Sequence, residues 1–277
     1  MIINHNLAAM NTYNQMGANA ANSSKNMEKL SSGLRINNAA DDAAGLSISE
    51  KMRAQIRGLD QASRNAQDGV SLLQTAEGGL NEAHSILQRM RELTVQSAND
   101  TNTAEDRTAI KTELDELTKE VGTINTRTAF NEQNLLDGTT GVGGSVTLQV
   151  GANSSETMVM DFTKDGIDLS TIAGDLGALD VSTAAASATS LDTIEAAIQK
   201  VSDGRSQIGA YQNRLEHTTN NLGTSSQNLS AAESRVRDVD MAKEMMDFTK
   251  NNILNQASQA MLSQANQQPQ AVLQLLR

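Results

Sequence analysis

The 277-residue chain has no cysteine and no tryptophan, and only one proline, two tyrosines and three phenylalanines. Without cysteine there is no disulfide framework, no thiolate metal site and no cysteine nucleophile. With so few aromatics, any core must be filled by Leu, Ile, Val, Met and Ala, which suits long helices packed side by side. No apolar run approaches the ~20 residues that span a bilayer, which speaks against membrane insertion. Met1–Gly17 has neither the basic start nor the apolar stretch of a Sec signal peptide, so any export uses another route. A formal charge of −11 would be repelled by phosphates, which excludes nucleic acid as a partner.

Catalytic signatures are missing as well. His5, His84 and His217 are scattered, with no H-e-x-x-H pair to hold zinc. Neither a phosphate-cradling G-x-x-x-x-G-K-[ST] nor a G-x-S-x-G nucleophile elbow occurs. Asp41 and Asp42, with Asn37 and Asn38, lack the alternating acidic order and closing Glu of a calcium loop, and read as capping residues. The chain is therefore read as no enzyme, with no catalytic residue, no metal ligand and no cofactor.

What the sequence does carry is helical periodicity. In Met1–Leu34 the residues Met10, Tyr13, Gly17, Ala20, Ser24, Met27, Ser31 and Leu34 alternate by three and four, with Ile3 and Leu7 leading in. Gly33–Gly45 interrupts the pattern with turn residues. It resumes at Leu46 and runs to about Ala98, with Leu59, Ala66, Leu73, Leu80 and Leu87 a heptad apart. Thr103 followed by Asp106 predicts a capping box, and Ile110, Leu114, Leu117, Val121 and Ile124 a further helix. Phe130–Ala188 is rich in Gly, Ser, Thr and Asp; alternation at Val146/Leu148/Val150 and Met158/Met160/Phe162 around Gly151–Glu156 predicts a β-hairpin.

Helix returns at Thr189, with Asp192 three residues on. Ile194, Val201, Ile208, Leu215, Leu222, Leu229 and Val236 then fall at intervals of seven. Companion positions Tyr211, Thr218, Ser225, Ala232, Val239, Met246 and Ile253 extend that seam toward the C-terminus. Ile194–Val236 alone would be roughly 65 Å long as a helix, against a radius of gyration of about 19 Å for a compact chain of this size. The fold expected is mainly α: an elongated coiled-coil or helical bundle with a small β-hairpin region.

Leu46–Ala98, Thr103–Thr128 and Thr189–Val236 can bury one another's stripes. Met1–Leu34 and Ala242–Arg277 carry thinner ones and are left to pair with each other. Their outer faces hold Ala, Gln, Asn, Met and Leu with few charges, a surface expected to order only when neighbouring copies cover it. The methionines at 10, 27, 52, 245, 246 and 261 sit on helical stripes, where adaptable packing is a simpler role than redox or copper chemistry.

Long blocks resemble bacterial flagellin. They include MIINHNLAAMNT, KLSSGLRINNAADDAAGLSISEKMRAQIRGL, NAQDGVSLLQTAEGGL and RMRELTVQSAND in the first half, then GAYQNRLEHTTNNL, AAESRVRDVDMAKEM and ILNQASQAMLSQANQQPQAVLQLLR. Hook-associated junction proteins, the alternative, match less well across SSGLRINNAADDAAG and AAESRVRDVDMAKEM. The resemblance implies a terminal coiled coil (D0) of residues 1–34 with 242–277, and a linker at 35–45. It implies a helical domain (D1) of 46–128 and 189–241 around a turn-rich part at 129–188, with no outer domains.

The resemblance also implies function and partners. The chain would be the secreted structural subunit of the extracellular filament, self-assembling into a homopolymer for motility. Contacts between copies would fall to Ile3, Leu7, Met10, Met27, Leu30, Ile253, Leu254, Met261, Leu262, Val272, Leu275 and Leu276. Other partners would be the flagellar type III export apparatus, an export chaperone, the filament cap and hook-associated junction proteins. A patch of Gln88, Arg89, Leu93 and Glu113 matches the one by which vertebrate Toll-like receptor 5, an innate immune receptor, binds many flagellins.

Overall fold

Helix α1 (Leu7–Ser32) starts where the Asn6 side chain accepts the Ala9 amide at 3.0 Å, and ends at Gly33, whose φ of 71° turns the chain out of the helix. The computed structural model describes residues 6–164 and 166–275, excepting the side chains of 268–275. Within these, α2 (Ala43–Ser97) and α3 (Ala104–Arg127) follow α1. Next come the strands β1 (Ala129–Phe130), β2 (Gln133–Asn134), β3 (Ser145–Gln149) and β4 (Thr157–Asp161). Helices α4 (Leu169–Leu176), α5 (Ala184–Arg237) and α6 (Met241–Leu275) complete the order, so the fold is mainly helical with a small antiparallel β region. The chain divides into two compact units, Met1–Ala54 with Asn228–Arg277, and Gln55–Gln227. Helices α2 and α5 contribute a segment to each.

In the unit Gln55–Gln227 the heptad positions form the core. Ala66, Leu73, Leu80 and Leu87 of α2 and Ile194, Val201, Ile208 and Leu215 of α5 are fully buried, joined by Ile110, Leu114 and Val121 of α3. Each large side chain in that seam contributes roughly 1.5–3 kcal/mol. The capping box of α3 forms: Asp106 N donates to Thr103 Oγ1 at 3.3 Å, and Thr103 N to Asp106 Oδ2 at 3.0 Å. The hairpin pairs Val146 with Met160 and Leu148 with Met158, which turns Met158 and Met160 inward and leaves Val159 exposed. Two glycines of α2 receive it: a Cβ on Gly58 would meet the Ala152 Cβ at 2.8 Å, and one on Gly69 would collide with Leu148.

Two helix starts and one additional helix differ from the sequence expectation. Helix α2 begins at Ala43, because Asp42 Oδ1 accepts the Gly45 amide at 2.8 Å. Helix α5 begins at Ala184 and not at Thr189; Thr183 caps it by accepting the Ala186 amide at 3.1 Å, while Thr189 only back-bonds to Ala185. Within 129–188 the chain also forms α4, whose Leu169, Ile172 and Leu176 are buried with Leu135, Leu136, Phe162 and Ile167. With eight residues and one hydrophobic face, α4 is too short for periodicity to reveal.

In the other unit, α1 pairs with α6. The Arg35 amide donates to Arg237 O at 2.7 Å and the Val239 amide to Gly33 O at 3.1 Å, tying the two turn regions together. Ile36 is buried, and Arg53 Nε meets Glu233 Oε1 at 2.8 Å. The heptad seam expected to run on through Val239, Met246 and Ile253 is broken instead. Helix α5 ends at Arg237, and Asp240 Oδ1 restarts α6 by accepting the Ala242 and Lys243 amides at 3.0 and 3.2 Å. Met246 and Ile253 emerge exposed.

Candidate assembly surface

Helices α1 and α6 meet through polar residues. Asn6 Nδ2 donates to Ala265 O at 2.8 Å, Asn19 Nδ2 to Ser258 Oγ at 3.3 Å, and Ser23 Oγ to Asn252 Oδ1 at 3.1 Å. Asn26, its amide assigned from its partners, donates to Glu244 Oε1 and accepts from Asn251 Nδ2, both at 3.1 Å. Ser23 is the buried residue of α1. An amide and hydroxyl ladder thus runs along the pair, in which Met16, Leu30, Phe248 and Leu262 are half-buried and Ala265 is buried.

The apolar stripe faces the other way. Met10, Tyr13, Gly17, Ala20, Ser24, Met27 and Ser31 are all exposed, so the stripe legible in the sequence is not what α1 offers to α6. On α6, Met246, Ile253, Ala257 and Ala260 make a second exposed line, beside Met241, Met245, Leu254 and Met261. Met245, Met246, Thr249, Lys250 and Ile253 border a shallow depression there. Of the fourteen large hydrophobics exposed among the described residues, ten lie on these two helices. Scattered apolar residues are ordinary on a surface; a concentration on two helices marks a contact surface.

Of the residues expected to join copies, Leu7, Met10, Met27, Ile253, Leu254 and Met261 lie exposed, whereas Leu30 and Leu262 are half-buried. Ile3 and Leu276, and the side chains of Val272 and Leu275, lie outside the described residues. Tyr13, Met241, Met245 and Met246 complete the surface and were not among those expected; their exposure depends on the polar seam deciding which way each helix faces.

A second constellation lies on α2 and α3. The guanidinium of Arg89 reaches Glu113 Oε1 through Nε at 3.2 Å and Nη2 at 2.9 Å, and Glu92 Oε2 through Nη1 at 3.3 Å. The hydrogen bond and charge of Glu113 raise the Arg89 pKa above its ordinary value. Arg91 Nη2 meets Glu195 Oε1 on α5 at 2.9 Å, and Gln88 Nε2 lies 3.0 Å from His84 Nε2. Arg89 and Glu113 therefore share one exposed surface, while Gln88, also exposed, borders a depression with Arg91, Glu92 and Glu195. Leu93 is 3% exposed and belongs to the core, while Val95, 50% exposed, lies on the Gln88–Glu92 face of α2.

No group of three His, Cys, Asp or Glu close enough to hold a metal ion occurs among the described residues, and none of their helices is long and apolar enough to cross a membrane. The exposed apolar residues concentrated on α1 and α6 are the feature of a helical protein that works through its surface.

Comparison with known proteins gives the family. The bacterial flagellin N-terminal helical region matches residues 3–141 and the bacterial flagellin C-terminal helical region residues 191–276. Flagellin of Halalkalibacterium halodurans is 63% identical over 277 residues, and that of Bacillus subtilis 54% over 305, each match covering the whole of both chains. The crystal structure of Bacillus cereus flagellin superposes with a TM-score of 0.51 at 34% identity, covering 61% of this chain and 94% of that one. A flagellar hook-associated protein from Vibrio parahaemolyticus shares the fold with a TM-score of 0.55 at 17% identity, covering 72% of this chain and 98% of that one. The chain belongs to the bacterial flagellin family. It is a structural subunit of the extracellular flagellar filament, not an enzyme.

Proposed function

We propose that subunits join through the outward faces of α1 and α6, with Leu7, Met10, Met27, Ile253, Leu254 and Met261 buried against neighbouring copies and Leu30 and Leu262 at the margins. The observation that carries this is the inverted arrangement of the pair. Ten large apolar residues of the pair point to water while its amides and hydroxyls point inward, so that apolar area is left for another molecule to cover. Each large side chain so covered contributes up to about 1.5–3 kcal/mol. On this reading residues 1–34 with 242–277 act as the terminal assembly domain, and 46–241 as the domain that carries it. Partners fitting the role are the flagellar type III export apparatus with a chaperone, the filament cap and the hook-associated junction proteins. Ile253→Asp tests the reading: the helical circular dichroism of the lone subunit should persist while sedimentable polymer disappears. Normal polymerisation of that variant would overturn it.

The exposed Arg89–Glu113 pair, flanked by Gln88 and Glu92, favours a second role as a ligand of Toll-like receptor 5. A preorganised guanidinium–carboxylate pair on a rigid helix pair offers directional polar contacts at little entropic cost. Arg89→Ala and Glu113→Ala should each weaken receptor signalling and leave the fold intact. Unchanged signalling in both would dismiss the patch.

A further inference from the structure

The methionines are sorted by location. Met10 and Met27 of α1 and Met241, Met245, Met246 and Met261 of α6 are all exposed, between 48% and 67%. Met90, Met158 and Met160, in the unit Gln55–Gln227, are 0–1% exposed. Met16 and Met52 lie between. Leucine would serve equally well as an apolar contact; sulfur adds reactivity, and here the accessible sulfurs coincide with the surface proposed to join copies.

We propose that these six methionines are an oxidation site through which a peroxide controls assembly, a proposal that rests on the assembly reading above. A thioether sulfur attacks one peroxide oxygen; the O–O bond breaks, an S–O bond forms, and water leaves. Sulfur loses two electrons and the peroxide gains them. Each sulfoxide replaces a flexible apolar group by a strongly polar acceptor. None of the six makes the hydrogen bonds between α1 and α6, so their oxidation leaves that polar ladder in place. What is lost is the apolar area available to a neighbouring copy, because a buried sulfoxide without a donor is penalised. Met245 and Met246 border the same depression as Ile253, which makes that end of α6 the most sensitive point. The change is reversible: two thiols take up the sulfoxide oxygen as water, leaving a disulfide and the thioether. Copies already in a polymer have these sulfurs covered, so the device acts on subunits before they are incorporated.

The experiment treats the monomeric full chain with hydrogen peroxide, assigns the added oxygen by peptide mass, and measures sedimentable polymer. Met10, Met27, Met241, Met245, Met246 and Met261 should oxidise at least about tenfold faster than Met90, Met158 and Met160, and polymer yield should fall about tenfold or more once the six are oxidised. Methionine sulfoxide reductases with dithiothreitol should restore the yield. Preformed polymer should resist the same dose. Full polymerisation of chains oxidised at the six positions would overturn the proposal, as would loss without recovery on reduction. Ile253→Asp, which carries no altered sulfur, separates the two readings: if it polymerises, the assembly surface itself is wrong. If it does not while oxidised chains do, only the oxidation device falls.

Discussion

Ser23 Oγ donates to Asn252 Oδ1 at 3.1 Å, and this bond sits at the most buried point of helix α1. A polar contact where a coiled coil normally places Leu fixes register at a cost in stability, since any shift leaves the amide unpaired. Ser23→Ala and Asn252→Ala should each destabilise the α1–α6 pair by about 1 kcal/mol. The double variant should cost less than the sum of the two, by roughly 0.5 kcal/mol or more. Hydrogen exchange of amides in α1 and α6 reads both effects; additive losses would show that the two side chains do not interact.

Acid should loosen the caps before the cores. Asp106 has its pKa lowered by the Thr103 hydroxyl and then by the Thr103 amide, Asp41 by the Asn38 and Asn37 amides, and Asp161 by the Thr163 hydroxyl and amide. A carboxylate with a lowered folded pKa binds protons less readily when folded. Its stabilisation is complete above the unfolded value of about 3.9 and is lost as pH falls through the folded value. Thermal stability should therefore be flat near neutrality and fall only below about pH 4. Asp106→Asn should reduce stability at neutral pH and shrink the fall in acid. A variant with an unchanged acid limb would show that the capping box does not contribute to it.

Asn131 and Glu132 join β1 to β2 with φ values of 50° and 64°. Two left-handed residues make the tight turn whose twist matches a hairpin, and asparagine tolerates that geometry better than glutamate. Glu132→Gly should stabilise the chain by about 0.5–1 kcal/mol, read as a shift in the denaturation midpoint at unchanged slope. Destabilisation would mean that the Glu132 side chain makes a contribution the turn geometry does not reveal.

The fold is legible in the sequence where one period persists. Leu73, Leu80 and Leu87, or Ile194 to Leu215, repeat over several turns against a single partner face, so spacing alone locates the core. The hairpin was legible for the same reason, through the alternation of Val146/Leu148 and Met158/Met160. Short elements escape it: α4 offers one hydrophobic face over two turns, and its burial depends on Leu135, Leu136 and Phe162 arriving from elsewhere. Helix starts depart from the periodic pattern where capping chemistry outweighs it, as at Asp42 and Thr183. Orientation of α1 was the largest difference. A stripe such as Met10, Tyr13 and Met27 says that one face is apolar, not which surface it meets. The decision lay with Asn6, Asn19, Ser23 and Asn26, whose partners are more than 200 residues away. Within the LQRMREL stretch the burial of Leu93 is legible in the spacing, since Leu87, Met90 and Leu93 step by three and are all buried; only the resemblance groups it with the exposed Arg89.

Glycine in α5 provides the sharpest test of packing. At Gly204 a Cβ would run into the backbone of the loop crossing the helix: the carbonyl of Gly166, whose own φ is 98°, and the Ile167 nitrogen at 2.9 Å. At Gly223, also helical, a Cβ would meet nothing within 4 Å. Alanine gains about 0.8–1 kcal/mol over glycine inside a helix at either position. At Gly223 that gain is unopposed, so Gly223→Ala should stabilise by up to about 1 kcal/mol. At Gly204 the opposing atoms are main chain and cannot rotate aside, and overpacking there costs about 1–3 kcal/mol or more. Gly204→Ala should therefore be destabilising overall and should loosen the chain at Gly166 and Ile167, seen as faster hydrogen exchange at the Ile167 amide, which donates to Lys164 O at 3.0 Å. If Gly204→Ala stabilised as much as Gly223→Ala, the loop would not lie against the helix, and the close approach of Gly166 to Gly204 would be wrong.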